Sequence, residues 1–219
     1  MCGRYALTSP PAVIAERFHL LWTPELAPHY NIAPGQTIPV VRETGQGREL
    51  AFLRWGLIPS WAKEASIGMK LINARGETLA DKPAFRSAYR QRRCLVPADA
   101  FYEWKAIAGR KQPYCIRLRD EAPFGMAGLW EGWQEPDGQV VESCTIVTVD
   151  ANALIAQLHD RMPLIVAPED YDAWLNAETR EAALPHAVAA DDMVAYPVSP
   201  LVSNAKNDVP ACLAPIDAR

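Results

Sequence analysis

The sequence predicts one α+β domain spanning residues 1–219, with a curved, largely antiparallel, barrel-like sheet flanked by helices. Three observations lead there. Short β-rich or alternating runs outnumber the helical stretches. Strands and helices interleave without the regular βαβ period of a parallel sheet. No internal repeat or low-complexity linker divides the chain, and its 219 residues, 49% of them apolar, are long enough to bury a sizeable core.

Taken in order, "SPPAVIAERFHLL" reads as a helix, with Ser9 as its cap and Pro10 in its first turn. "TIPVVRE", "LAFLRWGLI", "PYCIRLR", "FGMAGLW" and "SCTIVTV" read as strands, several separated by Ser, Pro or Gly turns. "LADKPAFRSAYRQ" reads as a second helix whose start is blurred by Pro83. "DANALIAQLHD" has apolar positions at helical spacing behind Asp150 as cap, and "APEDYDAWLNA" is a helix opened by Pro168.

Composition narrows the function classes. The longest apolar runs, such as "MPLIVA", fall far short of a membrane span, and residues 1–15 carry no basic leader with an apolar stretch behind it. Five cysteines, an odd number with no CxxC pair, argue against a disulfide framework or a structural zinc site. The expected compartment is a reducing cytoplasm. The net charge of −4 is unevenly placed: Lys82 to Arg93 carries five positive charges and no acid, while Glu169 to Asp192 holds seven acids and one arginine. Such separation fits a local nucleic-acid surface. Alone, the basic stretch reads as a solvated helix face.

Five places carry candidate chemistry. Cys2 stands near a chain end, where residues are ordinarily frayed and unshielded. Removal of Met1 would give it an α-amine beside its thiol, a 1,2-aminothiol. "LINARGET" projects Asn73, Arg75 and Glu77 from a strand end, as a turn with a surface salt bridge or as a site. In "FYEWK", Glu103 stands among aromatics. It is either half-buried, with the raised pKa of a general acid, or solvent-facing on an alternating strand, and taken alone the second reading is favoured. "LHDRMPL" places His159 at a predicted helix C-terminus, as a cap or as an acid–base group. Trp61 in "IPSWAK" can stack on a base or pack on the domain.

Together, "MCGRY", "YNIAPGQ", "RWGLIPSWA", "INARGETLADKPAFR", "RRCLVPADAFYEWK", "KQPYCI", "LHDRMPLIV" and "VSNAKND" closely resemble the SOS-response-associated peptidase (SRAP) family, from Cys2 to about Asp208. Gly76 stands where the family pattern leads one to expect Ala, and Pro210–Cys212 is a loose tail match. The resemblance implies recognition of abasic sites in single-stranded DNA. It also implies a covalent DNA–protein cross-link through the N-terminal cysteine, protecting the site during the DNA damage response. By position Cys2 matches the nucleophile, and Asn73, Glu103 and His159 match its catalytic neighbours. Arg4, Arg75, Arg86 and Arg161 match DNA-contacting arginines. Trp61 and Pro34 of the "NIAPG" loop are placed to stack or wedge beside the missing base.

The residue types suit that chemistry. An abasic deoxyribose opens to an aldehyde, which a free α-amine of pKa about 7.7–8.0 attacks to form an imine. The adjacent thiol then closes a thiazolidine, with Glu103 and His159 moving protons. No metal or cofactor is required. The expected protein is a cytoplasmic monomer, associated with the nucleoid when bound to damaged DNA. Three alternatives use the same features: a cysteine peptidase acting by autoproteolytic N-terminal processing, a glutamine-amidotransferase-like hydrolase, and a non-covalent reader of modified DNA. No downstream glutamine-site pattern supports the second.

Overall fold

The computed structural model describes residues 2–176, 184–185 and 188–216. Among these, the first half of the chain supplies strands β1 (Tyr5–Leu7), β2 (His29–Ile32), β3 (Thr37–Thr44), β4 (Gly47–Trp55), β5 (Asn73–Arg75) and β6 (Arg93–Ala98). The second half supplies β7 (Ala100–Ile107), β8 (Arg110–Leu118), β9 (Phe124–Gln134), β10 (Val140–Asp150), β11 (Arg161–Pro163), β12 (Ile165–Val166) and β13 (Met193–Pro197). The helices are short: α1 (Pro11–Phe18), α2 (Arg86–Gln91) and α3 (Tyr171–Leu175).

Strands β10, β4, β3, β6 and β9 pair in sequence, and β9 pairs back to β10, so this sheet closes into a five-stranded barrel. Closure leaves no open edge around the ring. All six residues of β6 are buried, because its inner face fills the barrel and its outer face lies under α2 and α3. Trp174 of α3 donates from its indole N–H to the Cys94 carbonyl at 2.8 Å. The second sheet, in the order β13-β8-β7-β1-β2, is wholly antiparallel. Two pairings are parallel, β10 with β4 and β10 with β5. The α+β, largely antiparallel, barrel-like reading therefore holds.

Each of the five strands expected from the sequence forms. The helices differ more. Ser9 does not cap α1: its hydroxyl donates to Asp99 at 2.6 Å, and Pro10 occupies the cap position. Pro83 confines α2 to six residues, because the residue before a proline is pushed out of the α region. The expected helix from Asp150 is a single 3₁₀ turn, Ile155–Gln157. Asp150 instead ends β10 opposite Arg161, and this antiparallel pairing closes the loop before a longer helix fits. Asn152 takes the capping part, accepting from the Leu154 and Ile155 amides at 3.1 and 3.0 Å. Pro168 opens a 3₁₀ turn that leads into α3. Part of the acidic stretch, residues 177–183 and 186–187, lies outside the described residues.

One glycine pair fixes the segment after β4. A Cβ on Gly56 (φ +130°) would lie 2.8 Å from the Gly68 carbonyl oxygen, and one on Gly68 2.5 Å from that of Gly56. Only two glycines allow this approach. It seats the 3₁₀ turn Ala65–Lys70, and the Trp61 loop before it, against the barrel.

Candidate active site

Cys2 is fully buried, not frayed as its position predicts. The reason is local. β1 lies between β2 and β7, and the Tyr102 amide donates to the Arg4 carbonyl at 3.0 Å, extending the pairing back toward the terminus. Asn73 Nδ2 donates to the Cys2 carbonyl at 2.8 Å. Burial, and then the charge of Glu103, push the Cys2 thiol well above its ordinary pKa. Burial thus disfavours the thiolate form of this sulfur.

Glu103 projects from β7 and is 3% exposed, so the buried alternative holds and the solvent-facing one does not. Burial pushes its carboxyl above the usual carboxylate range, with the charge of His159 pulling the other way. A buried carboxyl beside an imidazole and a thiol can hold and pass a proton.

His159 follows the short 3₁₀ turn, its amide donating to the Ile155 carbonyl at 2.9 Å, so a helix dipole is not what places it. The side chain is 30% exposed. Its Nδ1 accepts from the Arg161 amide at 3.0 Å and lies 2.8 Å from Asp160 Oδ1. Asn73 begins β5, held parallel to β10 opposite Ile146, and its Oδ1 is buried without a hydrogen-bond partner. Three separate pieces of chain thus set Asn73 on the Cys2 carbonyl, Glu103 close enough to act on the Cys2 thiol, and His159 close enough to act on Glu103.

The arginines divide. Arg75 and Arg86 are exposed. Arg4 is engaged within the fold, donating to Asn31 Oδ1 at 2.9 Å and to the Val202 carbonyl at 2.8 Å. Arg161 is 8% exposed. It makes a two-point ion pair with Glu77 (2.8 and 2.9 Å), meets Asp150 at 2.6 Å and donates to the Thr148 carbonyl. The Arg161–Glu77 pair ties β11 to the end of β5. Of the basic stretch, Arg92 pairs with Glu131, and Arg93 is buried against the Trp174, Tyr89 and Asn176 carbonyls. Only its earlier part remains a solvated face.

Trp61 is 59% exposed, and its indole N–H donates to the Pro83 carbonyl at 3.4 Å. With Lys63, Glu64, Ser66, Ile67 and Lys70 it borders an open groove of about 530 Å³. Pro34 is half-buried in the β2–β3 loop.

Comparison with known proteins now bears on the site. A family profile described as SOS response associated peptidase (SRAP) matches residues 1–205. The chain belongs to the SRAP family. Its SRAP relatives include "Abasic site processing protein YoqW" of Bacillus subtilis (strain 168), 44% identical over 218 residues, 96% of this chain and 97% of that protein. "Abasic site processing protein HMCES" of Mus musculus is 33% identical over 233 residues, 87% of this chain and 65% of that protein. A crystal structure of a protein from Bacteroides thetaiotaomicron superposes with a TM-score of 0.87 at 26% identity, covering 98% of this chain and 100% of that one.

The sequence reading of this SRAP chain missed several residues around the site. Tyr5 is fully buried, and its ring meets Trp55 edge-on with centroids 5.5 Å apart. Asn31 gathers the Val202, Asn204 and Asn207 carbonyls, and Asp208 accepts from the Tyr30 and Asn31 amides. Together they pin residues 202–208 beside Arg4. Asp150 was read only as a helix cap, and Asp160 stood within the "LHDRMPL" motif without a part of its own.

Proposed function

We infer that this protein processes abasic sites in single-stranded DNA by forming a covalent thiazolidine cross-link through Cys2. The observation that supports it is a buried Cys2 with Asn73 on its carbonyl and Glu103 acting on its thiol, Glu103 in turn feeling the charge of His159. The names of the relatives supply the substrate class.

With Met1 removed, the Cys2 amine adds to C1′ of the ring-opened sugar, giving a carbinolamine. Glu103 gives a proton to the departing hydroxyl, and water leaves to form the imine. The thiol sulfur then bonds to C1′ while its proton passes to the nitrogen, closing the ring with a net loss of one water. A thiol whose thiolate form is disfavoured by burial suits that order. His159 protonates the sugar ring oxygen as C1′–O4′ breaks and the C1′ hydroxyl gives its proton to water, leaving the aldehyde, and it serves the reverse step in release. Asn73 orients the Cys2 backbone and offers Oδ1 to the sugar or to the new amine. Arg75 and Arg86 hold phosphates, with Trp61 and Pro34 beside the baseless position. A phosphate at Arg4 or Arg161 must share guanidinium groups already bound to protein oxygens. The protein acts as a monomer, in the cytoplasm and on damaged DNA in the nucleoid.

The test is intact mass spectrometry after incubation with an abasic single-stranded oligonucleotide. A heat-stable adduct on the N-terminal peptide, one water lighter than the sum of its parts, is expected. No adduct, with intact binding, would leave a non-covalent reader.

A further inference from the structure

Two groups compete for one nitrogen of His159. The Arg161 amide N–H, 3.0 Å from Nδ1, needs a lone pair there, whereas Asp160 Oδ1, 2.8 Å away, needs a proton there. A single protonation state cannot satisfy both. They fit two states in turn. A neutral ring with its proton on Nε2 accepts from Arg161, and an imidazolium, or the Nδ1–H tautomer, donates to Asp160. The ring can therefore change protonation without losing its anchor.

We propose that Asp160 is a positioning residue for His159, holding Nδ1–H so that Nε2 delivers and retrieves the proton at the sugar ring oxygen. The proposal rests on the cross-linking role given to His159 above. The proton balance requires such a partner. Nε2 of a neutral ring cannot give up its proton without leaving an imidazolate. The donor is thus the imidazolium, with Nδ1–H on Asp160 and Nε2–H on O4′. After transfer the ring is neutral with its proton on Nδ1, still held by Asp160, and bare Nε2 can take a proton back. In release the cycle runs in reverse, with no change in overall proton count.

The surrounding charges favour this assignment. Glu103 on β7 lies close enough for its charge to interact with His159, but it is buried and pushed toward its protonated form. Arg161 on β11 is neutralised by Glu77 and Asp150. Arg75 on β5 acts on Glu77. Asp160 sets a carboxylate oxygen 2.8 Å from the ring. Its backbone is fixed as well, its carbonyl accepting from the Ala151 amide at 3.0 Å. The side chain is 86% exposed, so the effect is modest and open to salt.

The test is Asp160→Asn, which keeps shape, removes charge and touches no core. Two readouts are taken. Nitrogen-15 shifts of the His159 ring report where its proton sits without any DNA. Release of a preformed cross-link is followed against pH and salt. In the variant, the fraction of rings carrying the proton on Nδ1 should fall. At neutral pH release should slow roughly two- to fivefold, the range expected for an exposed ion pair. High salt should slow the wild type similarly and leave the variant unchanged. Unchanged ring shifts in Asp160→Asn would overturn the proposal, as would a fall in release equal at every pH and salt concentration. If wild type forms no cross-link, the abasic-site reading fails separately, and the ring shifts still decide whether Asp160 sets the His159 proton.

Discussion

Asn73 holds the carbonyl of Cys2 at 2.8 Å with one end of its amide, while the other end, Oδ1, is buried without a hydrogen-bond partner. A buried polar atom left unsatisfied ordinarily costs about 1–3 kcal/mol, which a ligand donor can recover. Asn73→Ala is expected to slow cross-linking about tenfold, the scale of one lost hydrogen bond of 1–1.5 kcal/mol. Asn73→Asp should be worse, since it sets an acceptor against the Cys2 carbonyl. Single-turnover rates on abasic oligonucleotide check both, and wild-type rates in both would remove Asn73 from the site.

Glu103 links stability to pH in an unusual direction for a carboxylate. Its folded-state pKa is raised by burial, so the native state keeps the proton longer than the unfolded chain does. That contribution is fully present below the unfolded pKa and is lost as pH rises through the folded one. Glu103→Gln, permanently neutral, should therefore gain stability relative to wild type at pH 8 compared with pH 4. The same variant should cross-link slowly while binding DNA normally. Thermal melts at the two pH values, with an equal difference at both, would refute the linkage.

The exposed and the engaged arginines should fail differently. Arg75→Ala is expected to slow reaction at low DNA concentration, recover at saturation, and lessen the salt dependence of binding. Arg161→Ala removes the bonds to Glu77, Asp150 and Thr148, and should cost about 1.5–3 kcal/mol of stability, as for hydrogen bonds between charged groups. Saturating DNA should not rescue it. Identical, fully rescued defects in both would place Arg161 on phosphate instead.

Arg161 also predicts an acid effect. Its two-point hydrogen bonding holds Glu77 below the usual carboxylate range. A depressed carboxylate stabilises the fold above its unfolded pKa, and that stability fades as pH falls through the folded value. Glu77→Gln should flatten this acid loss in a denaturant titration, and an unaltered slope would contradict it.

The proposed mechanism needs both the amine and the sulfur of Cys2. Cys2→Ala keeps a free amine if Met1 is removed, and should give only an imine that hydrolyses or cleaves the strand. An uncleavable residue placed before Cys2 keeps the thiol alone and should abolish the stable adduct, leaving a labile hemithioacetal. Intact masses of the proteins first establish whether Met1 is removed, and whether Cys2→Ala or Glu103→Gln impairs that removal. A heat-stable adduct on the blocked protein would sink the mechanism.

Sequence reading succeeded where periodicity is local. β3, β4, β8, β9 and β10 announce themselves through β-branched or alternating runs. β1, β5 and β11 are three residues each, too short for any period, and they exist because long neighbours offer them a paired edge. Glu103 reads as solvent-facing because "FYEWK" gives no sign that the chain terminus lies over that face. Arg4 and Arg161 look alike as bare cations in sequence. Only long-range contact shows that Asn31, Glu77 and Asp150 already bind them. The candidate residues were legible as motifs, whereas their burial and partners arise from chain crossings that no local pattern encodes.

β10 serves two structures at once. Its middle closes the barrel against β4 and β9, and its C-terminal half holds β5 and β11, the carriers of Asn73 and Arg161. Loosening the site therefore means detaching strands from a member of the ring itself. The amides of β5 and β11 should exchange with solvent almost as slowly as those of the barrel, through one shared cooperative opening. A candidate site assembled on three-residue strands thus borrows its rigidity from the closed ring beside it.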